Sequence, residues 1–157
     1  MTAKARFLKK LQAQQPQSGS FPNKGQADIA AFRQRMAQLQ EEMEEWLTDT
    51  GIETETRSVT LIELLIGGRQ FSVPGILLRY KNRMVKFIPA FLYGQGVTGC
   101  VEVSLCVDNN LTPLCRLFMR SGQHTNWRYS LPDAPAPGER RAFNEDAFFG
   151  IIEPLLP

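Results

Sequence analysis

The chain has 157 residues, 43% of them hydrophobic, the size and apolar content of one domain with one ordinary core. Eighteen Lys and Arg against sixteen Asp and Glu leave a net charge of +2, which argues against a histone-like protein that coats nucleic acid by bulk charge. Cys100, Cys106 and Cys115 are odd in number and lack framework spacing, so buried reduced thiols are expected rather than a disulfide-stapled secreted domain.

From the N-terminus, residues 1–11 are basic and lightly amphipathic, without the uninterrupted apolar stretch and cleavage site of a secretory signal. No run approaches the roughly 18 apolar residues of a membrane span. The expected compartment is the cytoplasm, with no membrane partner. Residues 5–14 can form a short helix with Phe7, Leu8 and Leu11 on one side. Pro16, Gly19, Pro22 and Gly25 among polar residues then read as a linker. The expected organisation is a short helix and flexible linker over 1–25, followed by a single α+β domain over 26–157.

Ile29, Phe32, Met36, Leu39, Met43 and Trp46 recur at spacings of three and four, the apolar stripe of an amphipathic helix. Gly51 is placed to end it. The stripe is expected to pack on the protein's own sheet, although the same spacing would also allow a homo-oligomer through a 27–50 helix. Glu41, Glu42, Glu44 and Glu45 lie toward the helix C-terminus, where negative charge opposes the macrodipole. They form either a solvated acidic face or a docking site for a basic partner.

Beyond Arg57 the period changes to β-branched and apolar runs divided by turn residues. Residues 59–66 and 70–73 flank Gly67-Gly68, 76–80 and 84–88 flank residues 81–83, and 100–107 and 114–120 flank residues 108–110. A last strand is expected over 126–131. Such short connections join antiparallel neighbours, so the predicted fold is α+β: an antiparallel meander of six or seven strands, a long N-terminal amphipathic helix packed on one face and a short C-terminal helix. That last helix follows a proline-rich connector over 132–138. It is announced by Asn144 as N-cap, Glu145 and Asp146 in the first turn, and Phe143 placed to pack on Phe148.

Gly94, Gly96 and Gly99 with Val101 form G-x-G-x-x-G-x-V between two predicted strands, the pattern of a kinase glycine-rich loop. A kinase needs a strand lysine soon afterward, and the last lysine here is Lys86. A dinucleotide fingerprint would open a helix where a strand follows. A turn or bulge is the expected use of these glycines, with no cofactor. Glu63 and Glu102 are the only acids well inside predicted strands and belong to no nuclease pattern. His124 is the only histidine, and there is no C-x-x-C pair, so neither a catalytic set nor a metal site is expected.

Strand alternation sends Val101, Val103, Leu105, Cys115, Leu117, Trp127 and Tyr129 to the core face. The other face receives Arg116, Phe118, Arg120 and Arg128 with Glu102 as its only acid. Counting outward from the turns pairs Cys106 with Thr112, Glu102 with Arg116, Arg120 with Asn126 and Phe118 with Arg128. Arg79, Lys81, Arg83 and Lys86 add a basic hairpin. These eight residues are the candidate surface for a protein partner or for nucleic acid, since arginine interleaved with an aromatic binds acidic surfaces or stacks bases. The functional expectation is a non-catalytic protein-binding module, such as an adaptor, an inhibitor or immunity protein, or an assembly subunit. A nucleic-acid-binding accessory protein is the alternative and an enzyme the third reading.

Overall fold

A computed structural model describes residues 2–7, 16–94, 96–132 and 140–157, apart from the side chains of 16–24 and 66. Its one sheet has seven antiparallel strands in sequence order: β1 (Glu53–Glu63), β2 (Arg69–Tyr80), β3 (Arg83–Gly94), β4 (Val97–Val107), β5 (Asn110–Ser121), β6 (Arg128–Ser130) and β7 (Arg141–Ala142). The long helix α1 (Pro16–Trp46) packs on one face, and the short helix α2 (Glu145–Ile152) joins the same core. The fold is therefore the expected α+β meander. No helix among the described residues is long and apolar enough to cross a membrane.

The helix stripe and one sheet face make the core. Ile29, Phe32, Met36, Leu39 and Met43 of α1 are buried against Phe71, Val73, Leu78, Phe87, Val101, Val103 and Leu117. The stripe is thus covered within the chain, and its burial requires no helix pairing between copies. Residues 3–7 are helical, but 8–15, the remainder of the expected short helix, lie outside the described residues. Helical backbone begins at Pro16 and runs through Gly19, Pro22 and Gly25, where composition alone suggested a linker. Once a helix is nucleated by a packed stripe, each added residue needs only one more backbone bond, so unfavourable residues can be carried along.

At the other end Asn144 caps α2 as expected, its Oδ1 accepting the Ala147 N–H at 2.9 Å. Phe143 lies edge-on to Phe148, with ring centroids 6.3 Å apart. After Ile152 the chain tightens into a 3-10 turn, Glu153–Leu155, containing Pro154. Proline lacks the donor that another α-helical turn would use. Residues 133–139, most of the expected proline-rich connector, lie outside the described residues.

Two strand boundaries differ from the sequence reading. Runs 70–73 and 76–80 are one strand, β2, because Pro74 and Gly75 continue the ladder to β1 opposite Ser58 and Arg57. β1 itself starts at Glu53, four residues before the composition turns β-like at Arg57. Residues 64–66, expected to be strand, form a 3-10 turn. Gly67 and Gly68 close this hairpin with φ of 82° and 69°, a region where glycine meets no steric penalty.

Candidate functional site

The β4–β5 hairpin sets the register of the open sheet face. Its turn is two residues long, with Val107 opposite Asn110 and both Asp108 (φ 51°) and Asn109 (φ 66°) left-handed. Such a turn matches the twist of the flanking strands. It places Cys106 opposite Leu111, not Thr112. A bulge then adds one residue on β5: Ser104 faces Pro113 and Val103 faces Cys115. Pro113 has no N–H to give to a regular ladder, which makes this a natural place for the irregularity. The bulge restores the count, so Glu102 does face Arg116, as expected, and their side chains meet at 3.2 Å.

Beyond the bulge the remaining pairs follow. Phe118 faces Cys100 on β4 and Arg128 on β6, while Leu117 faces Tyr129. Trp127 is buried with the core. The next expected pair, Arg120 with Asn126, does not form; Ser121 bridges His124 instead. The face opposite α1 therefore carries Lys86 and Ile88 of β3, Glu102 of β4, Arg116 and Phe118 of β5, and Arg128 of β6. Glu102 is the one acid within strands β3 to β6.

Phe118 is only 6% exposed although it lies on this open face. It forms a small apolar cluster with Cys100 and Val97, flanked by Ala90 and Phe91. Arg140 covers it: the guanidinium stands 4.8 Å from the ring centroid and donates to Ser121 Oγ at 3.0 Å. Arg128 holds Arg140 from below, donating through Nε and Nη2 to its carbonyl at 3.3 and 3.1 Å. Arg140 was not singled out by sequence reasoning, since it directly follows a proline-rich connector with no strand signal. Only its closeness to the Asn144 cap hinted at ordered backbone.

Not all eight candidate residues share this face. Lys86, Arg116, Phe118 and Arg128 do. Arg79 lies farther along the same side, 3.4 Å from Glu55, and Lys81 occupies the hairpin turn with φ 54°, its ammonium 5.4 Å from the Tyr80 ring centre. Arg83 faces Val107 on the core side and donates to the Pro154 carbonyl at 2.8 Å, tying the hairpin to the C-terminal turn. Arg120 shares Phe118's side by alternation, yet its guanidinium binds Asp28 of α1 at 2.5 Å. Asp28 is 5% exposed, and a carboxylate so enclosed demands a counter-charge more strongly than an exposed sheet face demands an arginine. Tyr93 donates its hydroxyl to the other Asp28 oxygen. Burial and this hydrogen bond to a carboxylate push the Tyr93 pKa well above the usual phenol range.

The glycine-rich segment is used by the backbone. Gly94 and Val97 close the β3–β4 hairpin, and Gly96 has φ 72°. At Gly99 (φ 76°) a Cβ would stand 2.9 Å from the Met119 Cβ and 3.2 Å from the Phe32 ring, so helix and sheet approach too closely for any side chain. Burial pushes the Cys100 and Cys115 thiols up to about 12, keeping both protonated at neutral pH. Cys106 is half-buried, so two of the three thiols are buried as expected, and all are free. His124 is exposed in its loop. Among the described residues, no three His, Cys, Asp or Glu side chains gather as a metal-binding group. A separate cleft beside α2, lined by Ile52, Phe149, Ile152 and Leu156 with Glu153, is mainly apolar.

Comparison with protein-family models, curated proteins and solved structures returned no match to this chain.

Proposed function

We propose that the protein is a non-catalytic protein-binding module that receives an acidic partner on its open sheet face. The observation that carries this reading is the arrangement around Phe118: Arg116, Arg128 and Arg140 stand about a buried apolar cluster on the open face, Lys86 lies farther along that face, and Glu102 is the only acid within strands β3 to β6. Arginine and aromatic side chains at the centre of a patch, with polar groups around them, resemble the composition of protein interfaces. An antiparallel sheet with one face on the core needs no such apolar cluster on its outer face.

The arrangement favours protein over nucleic acid on one point. Arg140 already occupies the face of Phe118, the surface on which a base would stack, so stacking would have to displace a cation that also donates to Ser121 and whose backbone carbonyl is held by Arg128. Affinity purification of the tagged chain from its native extract, with and without nuclease, tests the choice. A protein retained in both preparations supports the proposal; recovery of RNA or DNA alone, lost on nuclease treatment, points to the nucleic-acid reading.

A further inference from the structure

β1 is the long open edge of the sheet. Its ladder to β2 is unbroken from Glu53 opposite Arg79 to Glu63 opposite Arg69, and none of the described residues pairs with its other side. Eleven residues of strand extend about 36 Å. Edges of that length are ordinarily blunted by proline, a bulge or charged side chains; β1 has no proline, lysine or bulge, and its exposed charges Glu53, Glu55 and Arg57 all precede Ser58. The opposite edge, β7, is two residues long.

The helix above this edge determines what can add to it. Arg33 donates to the carbonyl of Ser72, which faces Thr60 on β1. Gln40 accepts the Thr56 hydroxyl at 2.8 Å, and Glu44 accepts that of Thr54 at 3.0 Å. Helix and strand therefore run antiparallel, with Arg33 level with Thr60, Gln40 with Thr56 and Glu44 with Thr54. Ser58 falls level with Ala37, and both are small and exposed.

A two-fold axis perpendicular to the sheet at that level would place Ser58 against Ser58 of a second copy, and Thr56 against Thr60 of the second copy in both directions. The two α1 helices would then run antiparallel on the same face. Because α1 sits over β2, they would be separated by three strand spacings, about 14 Å. Direct helix packing requires about 8 to 10 Å, but long side chains reach across the larger gap. Arg33 lies four residues before Ala37 and Glu41 four after, so each Arg33 meets Glu41 of the second copy. The exposed charge of α1 is divided in the same sense about Ala37: Arg33 before it, and Glu41, Glu42, Glu44 and Glu45 after it in the last turns. An antiparallel pair of such helices is self-complementary, as an isologous contact must be.

We infer that β1 is a self-association edge, at which a second copy of this chain adds its own β1 antiparallel about Ser58 and the two α1 helices pair through Arg33 and Glu41. This goes beyond the proposed partner face, which stays open in the joined sheet.

Sedimentation of the full chain across a concentration series tests it, together with Ser58→Cys. The expected particle has twice the chain mass of 17.7 kDa. Mild oxidation should link Ser58→Cys into a covalent dimer while the wild-type chain, with its three native cysteines, stays unlinked. Thr60→Lys should weaken association at least tenfold with the monomer's melting temperature retained. Glu41→Arg should weaken it as well, and Arg33→Glu combined with Glu41→Arg should restore it. A chain that stays monomeric to millimolar concentration overturns the inference, even if it captures an extended peptide of another protein. So does a dimer that neither cross-links through Ser58→Cys nor responds to Thr60→Lys.

Discussion

Arg120 binds Asp28 across the interface between β5 and α1, with Tyr93 on the carboxylate's other oxygen. This triad fixes the early part of the helix to the sheet end formed by β3, β4 and β5. Asp28 is nearly enclosed while Arg120 is about one-third exposed, so losing the carboxylate leaves a cation that water can partly reach. Asp28→Ala should therefore cost about 2 to 3 kcal/mol, below the range for a fully buried pair. Glu102→Ala, which opens an exposed pair, should cost only about 0.2 to 1 kcal/mol. Urea unfolding of the two variants measures the contrast, and equal losses would show that Asp28 is not an anchor.

Stability should fall on the alkaline side. Cys100 and Cys115 carry folded-state pKa values of about 12 against an ordinary 9.0, and the Tyr93 pKa is raised as well. Between the unfolded and folded values the unfolded chain has released protons that the native chain still holds, so rising pH favours unfolding. The stabilising contribution is complete below about pH 9 and declines as pH rises toward 12. Melting temperatures from pH 7 to 11 should be level at first and then drop. Cys115→Ser, which replaces a thiol by a group that does not titrate there, should make the drop shallower.

The glycines differ in what they tolerate. Gly96→Ala meets nothing within 4 Å and suffers only the left-handed backbone, about 1 kcal/mol. Gly99→Ala adds a collision with Met119 and Phe32 to the same backbone penalty and should cost about 2 to 4 kcal/mol. Thermal unfolding of both variants checks the order. Millimolar ATP should leave the wild-type melting temperature unchanged, since a ligand specific to the native state would raise it.

Arg140 should protect Cys100. With the cover intact, alkylation of native Cys100 is expected to be slow, because the thiol is protonated and fully buried. Arg140→Ala should speed labelling of Cys100 and leave Cys115, on the core side, unaffected. Mass spectrometry of labelled peptides distinguishes the two sites, and unchanged Cys100 labelling would remove Arg140 as a cover.

Much of this fold was legible because its signals are periodic. The stripe Ile29, Phe32, Met36, Leu39 and Met43 fixed the helix and its buried side, and alternation placed Val103 and Leu117 inside with Glu102 and Arg116 outside. The Glu102–Arg116 pair was reached by counting from a three-residue turn with no bulge. The real two-residue turn and the Leu114 bulge shift the count by one each and cancel. Nothing local marks such a cancellation. The departure of Arg120 toward Asp28 was illegible for a different reason: alternation gives a side chain's face, but a counter-charge on a distant helix decides where a long guanidinium ends. Arg140 escaped notice because its value lies in a contact with Phe118 across 22 positions of sequence.

The most direct test of the partner face is affinity purification of the wild-type chain beside a Lys86→Glu, Arg116→Glu double variant whose melting temperature matches wild type. Both substitutions lie on the open face and leave the Arg128–Arg140 support and the core untouched. A protein retained by the wild-type chain in the presence of nuclease, and reduced at least tenfold with the double variant, is the predicted result. Equal retention by both chains would place the interface elsewhere and contradict the account.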